Sequence, residues 1–238
     1  MAQPAQRLQH TAAPITAECH KLLQRLRWQG DGRIVVDGAQ PADAAAPAPL
    51  RTLGLTSSVP GEGVSTLAMG LARCAAELDR GPVLLVDANW RHPSVHRAFQ
   101  IELAPGLAEA LRDPDALDLA TKGSGIDRLE LLPAGVLQGD APMVCDQHSV
   151  TCVTDALALR FALVVVDLPP ASSSVLSPQL VALLDALVLV VEAERVGGEA
   201  VRSAQRRLLE QGAQLCGAVL NKKREYVPWW IRRSRRVP

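Results

Sequence analysis

The stretch Ser58-Val59-Pro60-Gly61-Glu62-Gly63-Val64-Ser65-Thr66 lies between an apolar run, Leu53-Gly54-Leu55, and an amphipathic one that begins at Leu67. Its shape is that of a phosphate-binding loop. The template G-x-x-x-x-G-K-[ST] turns a strand into a helix so that backbone N–H groups and the helix N-terminus face an anion. One residue departs from it. Where the template has lysine, a point charge that reaches the β- and γ-phosphates, this chain has Val64, with neither charge nor donor. The scaffold survives: Gly61 and Gly63 permit the tight turn, Ser65 offers a hydroxyl where a magnesium ligand would sit, and the helix dipole points at the cavity. A glycine-containing turn before a helix is also an ordinary strand–helix connection, so the loop needs support from elsewhere in the chain.

Two aspartates supply it. Asp87 opens Asp87-Ala88-Asn89-Trp90-Arg91 after one apolar run, and Asp167 closes Val164-Val165-Val166 ahead of Leu168-Pro169-Pro170. An aspartate that ends a run of buried aliphatics beside a phosphate loop is placed to hold magnesium, directly or through water. Taken singly, an aspartate leaving a strand is more often a helix cap or turn residue. The combination, in chain order and each at a strand end, is much harder to reach by chance. Other clusters read more plainly. Cys145, His148 and Cys152 have metal-like spacing but no fourth ligand nearby, so a packed helix face is the better reading. His92 and His96, four apart and without a third ligand, suit a solvated or partly buried helix face.

Positioning these groups requires strands and helices in alternation. Apolar runs predict strands at Thr52–Thr56, Pro82–Val86, Leu129–Leu132, Phe161–Val166, Ala186–Val191 and Cys216–Leu220, and continuous runs of this kind suit strands buried on both faces of a parallel sheet. Between them, Leu67, Leu71, Cys74 and Leu78 repeat at helical spacing, and Gly198–Glu210 is a second helical pattern. The expected fold is α/β, a doubly wound, mainly parallel sheet flanked by helices, with ligands at the carboxyl ends of its strands. A length of 238 residues suits one such domain with short extensions.

The expected divisions are a polar, Ala-rich, disordered stretch at 1–13, an amphipathic docking or oligomerisation helix at 14–28, an Ala/Pro-rich linker at 29–50, the α/β domain at 51–221 and a basic, Trp-containing tail at 222–238. Within the linker only Arg33-Ile34-Val35-Val36 could pair as a strand. Lys plus Arg equals Asp plus Glu at 25 each, so global charge says nothing about partners. The five cysteines are scattered without a C-x-x-C pair or a preceding signal peptide, which points to reduced thiols in a cytosol. No apolar run reaches the roughly 18 residues that span a bilayer, so membrane contact would be peripheral.

The loop, D-x-(D/N)-x-R and D-x-P-P together resemble the three Walker-type motifs of the bacterial tyrosine autokinases (BY-kinases) of capsule and exopolysaccharide synthesis, a branch of the MinD/ParA-type deviant P-loop ATPases. The segment Pro14–Gln24 resembles that family's N-terminal helix with its E-x-x-R-x-x-R oligomerisation motif. Residues Trp90–Phe99, Pro105-Gly106-Leu107, Leu132-Pro133-Ala134-Gly135 and Gly217-Ala218-Val219-Leu220-Asn221 are similar to further family segments, so the resemblance covers about residues 14–221. It implies a P-loop NTPase fold binding ATP or ADP with Mg²⁺. Ser58, Pro60, Gly61, Glu62, Gly63, Val64, Ser65, Thr66, Arg91 and Asn221 would hold nucleotide, Ser65, Asp87 and Asp167 the metal, and Asp87, Asn89 and Asp167 occupy the catalytic positions.

The departures from the family fall on the chemistry. Val64 replaces the loop lysine, and Val59 stands where MinD/ParA relatives carry a second lysine. Asn89 replaces an aspartate, and an amide can coordinate a metal but cannot take a proton. Lys21 and Gln24 stand for the arginines of the oligomerisation helix, which removes bidentate pairing. The family's C-terminal tyrosine cluster is reduced to one tyrosine, Tyr226, the sole autophosphorylation candidate. Nucleotide binding should be weakened and catalysis poor, with Arg91 the nearest compensating cation by motif.

The expectation is a degenerate BY-kinase-like protein, cytoplasmic and peripheral at the inner face of the plasma membrane. It would regulate a chain-length-determinant (polysaccharide co-polymerase) membrane partner with weak or no phosphotransfer. An active tyrosine autokinase with an atypical site is the alternative, and a MinD/ParA-like positioning ATPase a weaker one. Trp229-Trp230-Ile231 among Lys222, Lys223, Arg224, Arg232, Arg233, Arg235 and Arg236 suits an anionic lipid surface through 222–238, or a solvated tail. The 14–28 helix could serve a homo-oligomer. Nucleic acid is disfavoured, because no other basic patch is evident.

Overall fold

The computed structural model describes residues 19–24, 51–137, 146–173, 178–182 and 184–223. The stretches 1–13 and 29–50, the Arg33–Val36 segment, the ends of 14–28, Cys145, Tyr226 and the tail beyond Lys223 lie outside the described residues.

Among the described residues seven strands form one sheet: β1 (Thr52–Ser57), β2 (Val83–Asp87), β3 (Lys122–Gly123), β4 (Leu129–Leu132), β5 (Leu163–Asp167), β6 (Ala186–Glu192) and β7 (Leu215–Asn221). Their spatial order is β3-β4-β2-β5-β1-β6-β7, every pairing parallel except the short antiparallel β3–β4 edge. The six strands expected from apolar runs are all present, within one or two residues of the expected ends. The two-residue β3 was not anticipated, because so short a polar edge strand has no periodicity to read.

Among the described residues from β1 onward the α-helices are α1 (Val64–Glu77), α2 (Val95–Phe99), α3 (Leu107–Arg112), α4 (Leu117–Ala120), α5 (Gln147–Arg160), α6 (Pro178–Ala182) and α7 (Gly198–Glu210). They cover two faces, because successive residues of a strand point to opposite sides. From β2, Val83 and Leu85 join Leu67, Leu71 and Cys74 of α1, while Leu84 and Val86 join Val150, Val153 and Leu157 of α5. The same alternation splits Leu163 and Val165 from Val164 and Val166, and Val188 and Val190 from Leu187 and Leu189. The inner strands β2, β5 and β6 are therefore apolar along the run that precedes their final acidic residue, the mark of strands covered on both sides. Gly54 lets the second layer close. A Cβ there would lie 2.5 Å from Leu184 Cδ1 and 2.8 Å from Leu187 Cδ1.

Residues 19–24 are helical, and Cys19 and Leu23, one turn apart, bury their side chains in the same cluster as α1. Leu22 is partly buried and packs against that cluster too. Cys19 lies against Cys74 and, with His20, draws the Cys74 thiol below its ordinary pKa. Among the described residues no helix is long and apolar enough to cross a membrane.

Candidate functional site

β1 lies between β5 and β6, so the loop that leaves it emerges where the connections turn to opposite faces of the sheet. Such a crevice at the carboxyl ends of the strands is where open α/β sheets place ligands. Three contacts knit the floor: Thr56 Oγ1 donates to Pro169 O at 2.7 Å, Ala171 N to Ser57 O at 2.8 Å, and Ala88 N to Asp167 O at 2.8 Å. The turn's chain direction is set by Gly61 and Gly63, both left-handed with φ of 85° and 92°. Gly63 is the N-cap of α1 and supplies no side-chain acceptor, and the first turn of α1 carries no acidic residue. The helix thus begins with N–H donors not capped by a side chain, as an anion site requires.

The loop is held from within by Glu62, a side chain fully buried at 0% exposure. Its Oε2 accepts from Ser58 N at 2.7 Å and Val59 N at 2.9 Å, and its Oε1 accepts from Glu192 N at 2.8 Å. Asn221 Nδ2 donates to Glu62 O at 2.8 Å, while Asn221 Oδ1 accepts from Lys222 N at 2.9 Å. Asn221, expected as a nucleotide contact, is here a tether of the loop. Val64 is buried and packs into the α1 cluster. Ser65 is half-buried, while Pro60, Gly61 and Thr66 are exposed.

Asp87 and Asp167 are register partners at the ends of β2 and β5, and both are fully buried. Their surroundings differ. Asp87 Oδ2 accepts from Ser94 N at 2.8 Å and Val95 N at 3.0 Å, and its Oδ1 accepts from Asn89 N at 3.1 Å. It caps the start of α2 and shapes the turn before it, the ordinary duty of an aspartate leaving a strand. Burial still raises its pKa, against the pull of those three N–H groups.

Asp167 has no such partners: both carboxylate oxygens are buried without a hydrogen bond. Burial, then the neighbouring Asp87, push its pKa up to about 8. The Ser65 hydroxyl is near enough to draw it down somewhat, but not in the geometry of a made hydrogen bond. A buried carboxylate without donors is costly unless it is protonated or met by a cation. Hard oxygen donors from Asp167, Asp87 and Ser65 fit Mg²⁺, and the orphaned Asp167 oxygens are the observation that favours one.

Asn89 is half-buried and accepts from His92 N at 3.3 Å through Oδ1, and Arg91 lies exposed in the same turn. The cations that touch the loop are others. Arg195, in the turn after β6, donates to Pro60 O at 2.9 Å and Glu192 Oε2 at 2.5 Å. Lys222, just past β7, donates to Gly61 O at 2.7 Å and to the same Glu192 oxygen at 3.1 Å. Lys222, then Arg195, hold the Glu192 carboxyl below its ordinary pKa. Glu192 and Arg195 were not anticipated from sequence. Glu62 was expected to hold nucleotide and Lys222 to belong to the basic tail, and their contacts with Glu192 N and Gly61 O, made across the sheet, were not legible.

His92 precedes α2 and so does not share a helix face with His96. His148 and Cys152 touch on α5, Sγ lying 3.6 Å from Nε2. Cys145, the third member of that motif, is outside the described residues.

No protein-family profile matches the chain. Curated relatives carry the name tyrosine-protein kinase. Among them, YwqD of Bacillus subtilis (strain 168) is 28% identical over 175 residues, covering 74% of this chain and 73% of that protein. Among solved structures, the chimerical protein CapA2B2 superposes with a TM-score of 0.75 at 22% identity, over 92% of this chain and 90% of its own. The septum site-determining protein MinD of Pyrococcus horikoshii OT3, solved with Mg-ADP, does so at 0.60 and 18% identity, over 77% and 76%. The parallel sheet, the loop at β1 and the flanking helices are those of the P-loop NTPases.

Proposed function

We propose that this chain, a homologue of the bacterial tyrosine-protein kinases with their P-loop fold, is a nucleotide-binding regulator with weak or no phosphotransfer. It would serve exopolysaccharide or capsule production from the cytoplasmic side, docked on a chain-length-determinant membrane partner. The observation that carries this reading is Val64. The residue at the loop-lysine position is apolar and packed into the core, so it can neither touch phosphate nor swing out to do so. In comparable electrostatic clamps one donor contributes roughly 3–4 kcal/mol of transition-state stabilisation. Binding loses less than catalysis, because the N-terminal N–H groups of α1 remain.

Asp167, with Asp87 and Ser65, would hold Mg²⁺, which offsets phosphate charge when bound. Asp87 keeps the turn carrying Asn89 and Arg91 in place, and Glu62 and Asn221 fix the loop's path. The test is calorimetry of ATP and ADP with and without Mg²⁺, beside a hydrolysis assay. Measurable affinity with very slow turnover is expected, and a Val64→Lys variant should bind more tightly. Equal and strong ATPase activity in both proteins would overturn the reading.

The second reading, an autokinase with an atypical site, is favoured by one observation: Arg195 and Lys222 bring cations to the loop from elsewhere. Any phosphotyrosine would then sit on Tyr226, and its persistence in a Tyr226→Phe variant would mark contamination. Association with anionic membrane through 222–238, and self-association through 14–28, belong to the same proposal. Vesicle binding that weakens with salt and on Trp229→Ala/Trp230→Ala substitution tests the former. Sedimentation with and without residues 1–28 tests the latter.

A further inference from the structure

The loop has lost its own cation, yet its outer carbonyls are covered by two cations that share one carboxylate. Lys222 spans Gly61 O and Glu192, and Arg195 spans Pro60 O and the same Glu192. Two cations and one carboxylate leave one net positive charge, the charge that Val64 lacks relative to lysine. Both cations lie beside the glycine turn: a Cβ on Gly61 would be in van der Waals contact with Arg195 Nη2 at 3.8 Å, and one on Gly63 with Lys222 Cε at 3.6 Å. Both retain capacity. Among the described residues Lys222 uses two of its three N–H donors, and Arg195 leaves part of its guanidinium fork.

We infer that Lys222, with Arg195 beside it, is the stand-in cation of this site and binds the polyphosphate of a nucleoside di- or triphosphate. The inference rests on the nucleotide-binding reading and deepens it. An anion in the loop competes with Glu192 for Lys222, and a polyphosphate carries more charge than a carboxylate. Glu192 therefore parks the cations against the loop until the ligand arrives. Its carboxylate prevents the paired cations from repelling each other and keeps both side chains ordered at the rim. Because the tethers run to loop carbonyls, the same contacts that position the cations also fix the turn that the ligand must meet. Arg91, the candidate suggested by motif, makes no comparable approach: it is exposed in the turn after β2, a different strand end.

The experiment is titration calorimetry of the full chain and its variants Lys222→Gln, Arg195→Gln, Val64→Lys and Val64→Lys/Lys222→Gln. The probes are Mg-ADP, magnesium tripolyphosphate and adenosine, and thermal unfolding verifies that each variant folds. Lys222→Gln is expected to weaken Mg-ADP and tripolyphosphate about tenfold while leaving adenosine unchanged, with a smaller loss for Arg195→Gln. Placing lysine at position 64 should make Lys222 redundant, so the loss shrinks below about threefold in that background. Unchanged tripolyphosphate affinity in both single variants would overturn the inference and leave nucleotide binding standing. An equal loss for adenosine would also overturn it, as a base contact. Binding by Val64→Lys but not by the wild type would show that nothing stands in for the lysine. Binding by neither would bring down the nucleotide reading as well.

Discussion

Replacing Glu62 with glutamine keeps the shape of the side chain and removes its charge, and so tests whether the loop is held from within. The carboxylate accepts three backbone N–H groups, at 2.7, 2.9 and 2.8 Å, in a site with no exposure to water. An amide has one acceptor oxygen and one NH₂ group, so in either orientation a donor confronts a donor. If the NH₂ takes the Oε1 place, the Glu192 N–H loses its partner; if it takes the Oε2 place, Ser58 and Val59 lose theirs. The cheaper orientation forfeits one charge-assisted bond, about 1.5–3 kcal/mol, and leaves the part-buried Glu192 N–H unmet. Relief from desolvating a carboxylate works the other way, so a net loss of about 2 kcal/mol is expected. In a chain of this length that lowers the melting temperature by roughly 4–8 °C. Urea unfolding should show a lower midpoint with an unchanged slope, and the amides of Ser58, Val59 and Glu192 should exchange faster. A glutamine variant as stable as the wild type would refute the reasoning, since the carboxylate would then not be holding the loop.

Asp167 yields a pH prediction. Its folded pKa, about 8, lies above the ordinary 3.8, so between those values the folded protein holds a proton that the unfolded chain releases. Stability attributable to this group falls as pH rises through that window, by up to about 1.4 kcal/mol per unit. In EDTA, Asp167→Asn should match the wild type near pH 4 and exceed it by about 2–4 kcal/mol at pH 8, read by urea unfolding. Millimolar Mg²⁺ at pH 8 should stabilise the wild type and not the variant; a pH-independent difference would contradict the assignment. Gly54→Ala should destabilise by about 1–2 kcal/mol, because its Cβ meets Leu184 and Leu187 at 2.5 and 2.8 Å. Thermal melts check this, and an unchanged midpoint would mean that the layer has slack. Gly63→Ala should cost both stability, through strain at its φ of 92°, and nucleotide affinity, since its Cβ would displace the Asn221 amide 2.4 Å away and loosen the loop. Calorimetry against Mg-ADP beside a thermal melt separates the two.

Most of the sheet was legible because its strands are buried on both faces. The runs Pro82–Val86 and Phe161–Val166 read as strands from sequence alone, and the strands found, Val83–Asp87 and Leu163–Asp167, carry the two aspartates at their carboxyl ends. The helix Gly198–Glu210 was expected at the residues where it occurs, its apolar residues recurring at helical spacing. The edge strand Lys122–Gly123 was missed because what makes it a strand is its partner, Leu131 and Glu130, and not its own side chains. The roles of the strand-end aspartates were legible only as a pair of alternatives. Cap and metal ligand demand the same residue type, and only the surrounding backbone distinguishes the two positions: Asp87 meets three N–H groups and Asp167 none.

By itself the sequence determined what is local: the alternation that builds a parallel sheet, the glycine turn before α1, the aspartates at two strand ends, and an apolar Val64 where the phosphate-loop template has lysine. Burial patterns and φ preferences act over a few residues, so a few residues suffice to read them. The tertiary structure decided which charges meet. Glu62 reaches the Glu192 amide 130 positions away, and Lys222 reaches Gly61 across 161. Those contacts exist only because β1, β6 and β7 end side by side. A charge acts over ångströms in space and not over positions in a chain, so the cations that face the loop could be found only once the sheet had brought its strand ends together.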